Sequence, residues 1–128
     1  MSKTKKKTPA SIIWFNVPAD DLKRAQKFYQ GLFGWKIKPF RGMKDFMEID
    51  TGGADASPNG GLTGRKDGEQ SINYISVDSV DKFAAKIEKL GGKICVPRTA
   101  VPNMGYFAVC QDTENNGFGL WQPDAKAK

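Results

Sequence analysis

The sequence offers few side chains that could carry out covalent chemistry. It contains no histidine among its 128 residues, which excludes an imidazole metal ligand and leaves its serines without a base to activate them. The two cysteines, Cys95 and Cys110, lie in separate apolar, strand-like segments without a basic neighbour at a helix start that would activate a thiol. We therefore expect two buried, reduced thiols, typical of a cytosolic protein, and no nucleophilic site.

One carboxylate is placed where it could transfer a proton. Glu48 is near the middle of a predicted strand, Asp45–Asp50, and is the best candidate for a general base. The alternative is that Glu48 lies on a solvated outer face, which is the common environment of a strand glutamate. Glu48 and Asp50 together would suit a weakly held magnesium ion rather than a catalytic metal centre.

The elements that would position such residues occur twice. Asp21 and Asp78 each precede an apolar helical segment, and Ile37 and Ile94 each follow the glycine that ends it. Both pairs are 57 positions apart, so the two halves share one spacing. A repeat of this length predicts a fold built from two copies of one supersecondary unit.

Each half predicts a strand, a helix and three further strands. The first helix begins after Asp20 or Asp21 and ends at Gly34, and the second begins after Asp78 or Ser79 and ends at Gly91. The predicted strands, in chain order, are Ile12–Val17, Trp35–Phe40, Asp45–Asp50, Gly61–Arg65, Ile72–Val77, Lys93–Pro97, Tyr106–Gln111 and Phe118–Gln122.

This order of elements predicts the fold class and the domain limits. One helix per half favours an α+β fold, in which two βαβββ modules form a curved mixed sheet with both helices on its outer face. The modules span about residues 10–67 and 68–123 of a single domain. We expect a disordered basic arm at residues 1–9 and a frayed end at residues 124–128.

The positive charge is concentrated at the ends of the chain. Six of the 20 basic residues are terminal lysines, which leaves 14 basic and 14 acidic residues elsewhere. A neutral folded part does not predict a nucleic-acid partner. The lysine-rich start has no apolar segment behind it and no segment approaches membrane-spanning length, so we expect a cytoplasmic protein with no membrane partner.

Three phrases together resemble the vicinal oxygen chelate superfamily, which includes glyoxalase I, extradiol dioxygenases and the bleomycin and fosfomycin resistance proteins. They are Val17–Trp35 (VPADDLKRAQKFYQGLFGW), Tyr74–Val80 (YISVDSV) and Asp112–Gln122 (DTENNGFGLWQ). The resemblance covers about residues 10–123 and is greatest to a glyoxalase-like branch. It implies that the two modules curl around a cup and that the protein forms a homodimer.

In metal-dependent members of that superfamily, the cup holds a divalent ion on His and Glu side chains of the first, fourth, fifth and last strands. The resemblance places these ligands at Trp14, near Gly61–Thr63, at Ile72 and at Gly119. No imidazole or carboxylate stands at any of these positions, and such donors are what a catalytic transition metal requires. We therefore expect no metal and no other cofactor.

Strand alternation relative to those positions selects candidate ligand-binding residues. The resemblance implies that Trp14, Asn16, Tyr74 and Trp121 line the cup. The two tryptophans would form aromatic walls, and Asn16 and Tyr74 would supply hydrogen bonds. The alternative is structural: the tryptophans pack in the core, and the two polar residues satisfy backbone groups at strand edges.

The resulting functional hypothesis is metal-independent binding of a small apolar or aromatic molecule in the cup, as in the bleomycin-sequestering relatives. One alternative is a metal-independent lyase or isomerase in which Glu48 or Tyr74 transfers a proton. Another is a regulatory or structural domain whose cup is filled by its own side chains. Whether the protein is an enzyme stays open at this point.

Overall fold

The computed structural model describes residues 10–53 and 59–128, so the predicted arm at residues 1–9 lies outside the described residues. The chain divides into two compact units, one of Ile13–Asn73 and one of Tyr74–Lys128 grouped with residues 10–12. We refer to them as the N-terminal and C-terminal modules and assign each strand to the module that contains most of its residues. Neither described helix is long and apolar enough to cross a membrane.

Both modules have the predicted βαβββ order, which confirms the α+β fold class. The N-terminal module contains β1 (Ile12–Ala19), α1 (Leu22–Phe33), β2 (Lys36–Pro39), β3 (Phe46–Asp50) and β4 (Asn59–Gly64). The C-terminal module contains β5 (Ile72–Ser76), α2 (Val80–Lys89), β6 (Lys93–Val101), β7 (Gly105–Gln111) and β8 (Gly117–Pro123).

Local signals fix the limits of the helices. The Asp21 carboxylate accepts a hydrogen bond of 3.0 Å from the Arg24 N–H and caps the start of α1. Gly34 ends α1 in the left-handed conformation (φ 71°), where its N–H donates to the Gln30 carbonyl at 2.9 Å. In α2, the Ser79 hydroxyl accepts from the Lys82 N–H at 3.1 Å.

The sheet of the N-terminal module has the strand order β2-β3-β4-β1, with β1 parallel to β4 and the other pairs antiparallel. One face of this sheet packs against α1. The buried residues of that core are Ala19, Ile37, Ile49 and Leu62, and α1 contributes the partly buried side chains Leu22, Ala25 and Tyr29.

The C-terminal module repeats this plan with the strand order β5-β8-β7-β6. Its β5 and β8 are parallel, and β8-β7 and β7-β6 are antiparallel. The buried core against α2 consists of Val77, Val80, Ala108, Cys110 and Leu120. In each module, therefore, one face of the sheet is covered by that module's own helix.

Strand β6 differs from its prediction. It continues to Val101 instead of ending at Pro97, and its pairing with β7 shifts register between Ile94 and Val96 and again between Val96 and Thr99. Proline is tolerated in edge strands and at such irregularities because its missing N–H breaks no ladder. Cys95 is exposed, because Ile94 packs against the core of the C-terminal module and alternation directs the next side chain away from it; this corrects the expectation that both thiols are buried.

The chain end differs too, because residues 124–128 are not frayed in this structure. The Asp124 N–H donates to the Met104 carbonyl at 2.9 Å, and the Asn103 N–H donates to the Ala127 carbonyl at 2.9 Å. Ala127 is only 1% exposed. The end therefore packs on the turn between β6 and β7.

Removal of residues 124–128 should lower the free energy of unfolding by about 1–2 kcal/mol, because two backbone hydrogen bonds and one buried side chain are lost. Urea denaturation of the truncated and full chains measures this difference. Lys128→Ala removes an exposed side chain and serves as the control with no expected change. Equal stability of the truncated and full chains would contradict the packing described here.

Candidate functional site

The face of the N-terminal sheet opposite α1 carries the candidate residues of that module. Phe15, Val17 and Ala19 pack in the core under α1, so alternation places Trp14 and Asn16 on the other side of β1. Alternation along β3 and β4 likewise places residues of these strands on this side of the sheet. We call this surface the helix-free face of the N-terminal module; it includes Trp14, Asn16, Phe46, Glu48, Gly61 and Thr63.

One row of residues crosses the four strands of this face. Lys38 pairs with Glu48, Glu48 pairs with Gly61, and Gly61 pairs with Asn16. The row therefore contains an ammonium group, a carboxylate, a bare stretch of backbone and an amide in consecutive strands. Gly61 contributes no side chain of its own between the Glu48 carboxylate and the Asn16 amide.

Three side chains converge above Gly61. A Cβ atom built on this glycine would lie 3.0 Å from Asn16 Oδ1, 3.0 Å from Trp14 Cζ2 and 3.2 Å from Phe46 Cζ. A larger residue at position 61 would force these side chains to move. Glycine at this position lets an amide and two aromatic rings approach the same point, which we call the aromatic point.

The polar and aromatic groups of this point are oriented by their neighbours. Asn16 Nδ2 donates to Thr63 Oγ1 at 3.0 Å, which fixes the amide and directs its Oδ1 toward Gly61. The Trp14 and Phe46 rings lie 6.3 Å apart at 46°, and Phe40 lies 5.5 Å from Phe46. These aromatic side chains are partly buried, so their rings still present surface.

Glu48 lies on the same face as Trp14 and Asn16. Its side chain is half-buried, and it makes no hydrogen bond or ion pair with any residue in the part of the chain that the structure describes. Lys38 lies opposite it on the edge strand β2 and is exposed. The carboxylate is therefore able to accept a hydrogen bond or a proton from a bound molecule.

The C-terminal module has a helix-free face of its own, on which Tyr74 and Trp121 lie. Tyr74 pairs with Gly119, and its ring occupies the position that a Cβ of Gly119 would take. Trp121 covers Gly105 in the same way, with Cζ2 at 2.6 Å from the corresponding Cβ position. Phe107 pairs with Trp121 and extends this partly buried aromatic surface.

The predicted ligand-binding residues thus fall into two pairs. The structure brings Trp14 and Asn16 together in the N-terminal module, and Tyr74 and Trp121 together in the C-terminal module. Phe46, Phe107 and Gly61 were not anticipated. Alternation from Glu48 would have placed Phe46 on the same face, whereas the role of Gly61 depends on strand pairing.

The residues at the superfamily's metal-ligand positions do not fit a divalent metal. Trp14, Ile72 and Gly119 offer no nitrogen or oxygen donor suited to such an ion, and the fourth strand contributes no carboxylate. A side chain at position 119 would collide with the Tyr74 ring. Within residues 10–53 and 59–128, no group of three or more His, Cys, Asp or Glu side chains is placed to hold an ion.

A separate groove of about 370 Å³ lies beside the first turns of α1, and Arg24, Phe28 and Arg65 help to line it. Its charged groups are already paired, since Arg65 contacts Asp20 at 3.0 Å and Arg24 approaches Asp21 at 3.9 Å. The two arginines of the groove therefore each lie next to an acidic residue, in contrast to Glu48 on the face around Gly61.

The two cysteines have different environments. Cys110 is fully buried in the core of the C-terminal module, and burial, with a smaller effect of the nearby Cys95, raises the pKa of its thiol to about 11. Cys95 is exposed on β6. Because the thiolate is the reactive form, Cys110 is protected from alkylation both by access and by protonation.

Comparisons with known proteins agree with this architecture. Residues 11–52 match the family described as Bleomycin resistance protein-like N-terminal. The chain is 32% identical over 114 residues to a "Glyoxylase-like domain-containing protein" of Didymella fabae, covering 82% of this chain and 88% of that protein. It is 30% identical over 115 residues to "Putative glyoxylase CFP32" of Mycobacterium tuberculosis, covering 85% of this chain and 44% of that protein.

The chain therefore spans less than half the length of this mycobacterial relative. Among solved structures, it is similar to the Mn(II)-bound glyoxalase from Novosphingobium aromaticivorans, with a TM-score of 0.60 and 19% identity over 94% of this chain and 40% of that chain. That likeness concerns the fold. Together with the sequence relatives, it identifies the class: the chain belongs to the vicinal oxygen chelate superfamily, as a glyoxalase-like domain.

Gly119→Ala should lower the free energy of unfolding by about 1–3 kcal/mol, because the added methyl group overlaps the Tyr74 ring. In a Tyr74→Ala background the ring is absent, and the same change should cost less than about 0.5 kcal/mol. A double-mutant cycle by chemical denaturation measures both values. An equal cost in the two backgrounds would show that the ring does not occupy this space.

A maleimide at pH 8 should modify Cys95 and leave Cys110 unmodified in the folded protein. With a pKa of about 11, only roughly one Cys110 thiol in a thousand is ionised at that pH. Mass spectrometry counts the added labels, with one expected in the native state and two in urea. The Cys95→Ser variant is the control and should stay unlabelled until it unfolds; rapid native labelling of that variant would contradict the burial of Cys110.

Proposed function

We propose that the protein binds a small apolar or aromatic molecule, and that it does so without a metal ion. The observation that carries this proposal is the convergence of Trp14, Phe46 and Asn16 above Gly61. Small-molecule sites combine apolar and aromatic walls with a few placed polar groups. On this face, the rings supply the walls, and Asn16 Oδ1 and the Glu48 carboxylate supply the polar groups.

The position of the aromatic side chains favours binding over a purely structural role. Trp35 packs with the core under α1. Trp14 and Trp121 instead lie on the helix-free faces, where they are partly exposed. The C-terminal helix-free face, with Tyr74, Phe107 and Trp121, supplies a second aromatic surface for the same class of molecule.

The side chains at the superfamily's metal-ligand positions support binding without a metal ion. The glyoxalase similar in fold is Mn(II)-bound, but the corresponding positions here carry an indole, an alkyl chain and a glycine. These groups cannot replace imidazole and carboxylate ligands. The proposal therefore does not transfer the metal chemistry of that protein to this chain.

A second candidate function is a metal-independent lyase or isomerase. The observation that favours it is Glu48, a half-buried carboxylate without a protein partner among the described residues, next to the rings that converge above Gly61. Such a group meets the geometric requirement for a general base if a substrate proton lies within hydrogen-bond distance. Tyr74 is the alternative proton-transfer residue. Glu48→Gln would abolish turnover in this case.

The proposal includes a homodimer and a cytoplasmic location. Exposed apolar side chains on α1, namely Phe28, Leu32 and Phe33 at 56–60% exposure, support self-association because burying them would be favourable. Two free thiols support a reducing compartment. Analytical ultracentrifugation tests the first point, and a monomer at all accessible concentrations would contradict it.

The binding proposal is tested with the neutral aromatic probe 4-tert-butylphenol and protein labelled with ¹⁵N. The indole N–H signals of Trp14, Trp35 and Trp121 are resolved by single Trp→Phe variants. We expect the probe to shift the Trp14 or Trp121 signal and to leave Trp35, which packs with the α1 core, nearly unchanged. Trp14→Ala should weaken binding of the probe at least about tenfold if the probe binds next to Trp14.

Two results would contradict the proposal. One is the absence of any shift at Trp14 and Trp121 with this probe and its relatives at millimolar concentration. The other is a tightly held stoichiometric transition metal in the purified protein, or loss of binding on dialysis against a chelator, either of which would contradict metal independence. Trp35→Phe is the matched control variant, and it should bind the probe as the unmodified chain does.

A further inference from the structure

A carboxylate, that of Glu48, lies next to the rings that converge above Gly61 in the N-terminal module. We infer that the ligand carries a positive charge of the alkylammonium class and that Glu48 selects for it. This inference rests on the proposed binding function and adds the chemistry of the ligand. It follows from the arrangement of Glu48, Phe46, Trp14 and Gly61 on one face.

The position of Glu48 brings its carboxylate close to the rings. Phe46 precedes it by two residues on β3, so both side chains leave the same face about 7 Å apart along the strand. Glu48 pairs across the sheet with Gly61, where the Trp14 and Phe46 rings converge. A group bound against the exposed parts of these rings, on the side of Glu48, would therefore contact both the carboxylate and the aromatic surface.

A neutral molecule, an anion and a cation should differ in their free energy of binding next to Glu48. A neutral apolar molecule that covers this point removes water from an unpaired carboxylate and offers nothing in return, which opposes its binding. An anion adds repulsion to that penalty. An organic cation pairs with the carboxylate, and the face of any aromatic ring that it covers attracts its charge as well. The cation is thus the only one of the three that satisfies both features of the face.

Other charged groups on this face have to be counted. Lys36 pairs with Asp50 across β2 and β3, so these two opposite charges offset each other. Lys38 pairs with Glu48, but it is exposed on the edge strand and forms no ion pair with Glu48 in the described part of the chain. Its ammonium group should weaken cation binding moderately, and solvent screens it more than it screens Glu48.

The test uses a pair of probes that differ only in charge. The 4-hydroxyphenyltrimethylammonium ion and neutral 4-tert-butylphenol have nearly the same shape, and 4-hydroxybenzoate adds an anionic comparison. Dissociation constants are measured from the Trp14 indole signal at low ionic strength. We expect the cation to bind about tenfold more tightly than the neutral probe and the anion to bind most weakly.

Three variants separate the contributions. Glu48→Gln should bring the affinities of the cation and the neutral probe to within about twofold of each other. Lys38→Met should raise the affinity for the cation about two- to threefold. Glu88→Gln makes the same chemical change as the first variant at an exposed position of α2, and it should leave the tenfold ratio unchanged.

The outcomes distinguish this inference from the proposal beneath it. A tenfold preference for the cation that disappears in Glu48→Gln supports the inference. If the neutral probe binds and the cation binds no more tightly, or if the preference persists in Glu48→Gln, the inference is wrong and the binding function stands. If none of the three probes shifts the Trp14 signal, the binding function proposed for this face fails, and the inference fails with it.

Discussion

Each module depends on burying one face of its sheet against one helix. Ile49 and Leu62 are fully buried under α1, and Val80 and Cys110 are fully buried in the equivalent core of the C-terminal module. Because side chains alternate along a strand, the burial of these residues places the intervening side chains on the opposite face. A shift of one residue would exchange the two faces. The helix-free faces, and with them every candidate site residue, therefore follow from core packing.

At Gly119, where the resemblance to the superfamily places the last metal ligand, an aromatic ring occupies the space of a side chain. Tyr74 and Gly119 are register partners, and the Tyr74 ring occupies the space that a side chain at position 119 would need. A carboxylate at that position and the tyrosine ring in its present place exclude each other. Restoring one ligand would therefore require removal of the ring as well.

Features that depend on interactions between near neighbours in the sequence were predicted correctly, whereas features that depend on strand pairing and core packing were not. Helix limits depend on neighbours within one turn, so the Asp21 cap and the Gly34 stop could be predicted. The exposure of Cys95 could not, because it depends on which side chain of β6 packs on the core, and the continuous apolar run 94–96 does not show that this is Ile94. The face occupied by Glu48 also depends on which strand β3 pairs with and in which register. No local pattern specifies that pairing, which is why a solvated position for Glu48 stayed open.

The two helix-free faces differ in what can cover them. On the C-terminal module, Tyr74, Phe107 and Trp121 form a surface that an apolar group can cover without an electrostatic penalty. On the N-terminal module, the carboxylate of Glu48 lies beside the aromatic point, and covering it without a partner would cost several kcal/mol. Apolar side chains, whether of this chain or of a second copy, could not cover the Glu48 carboxylate favourably. Whatever occupies that point must bring a hydrogen-bond donor or a positive charge, or leave water at the carboxylate.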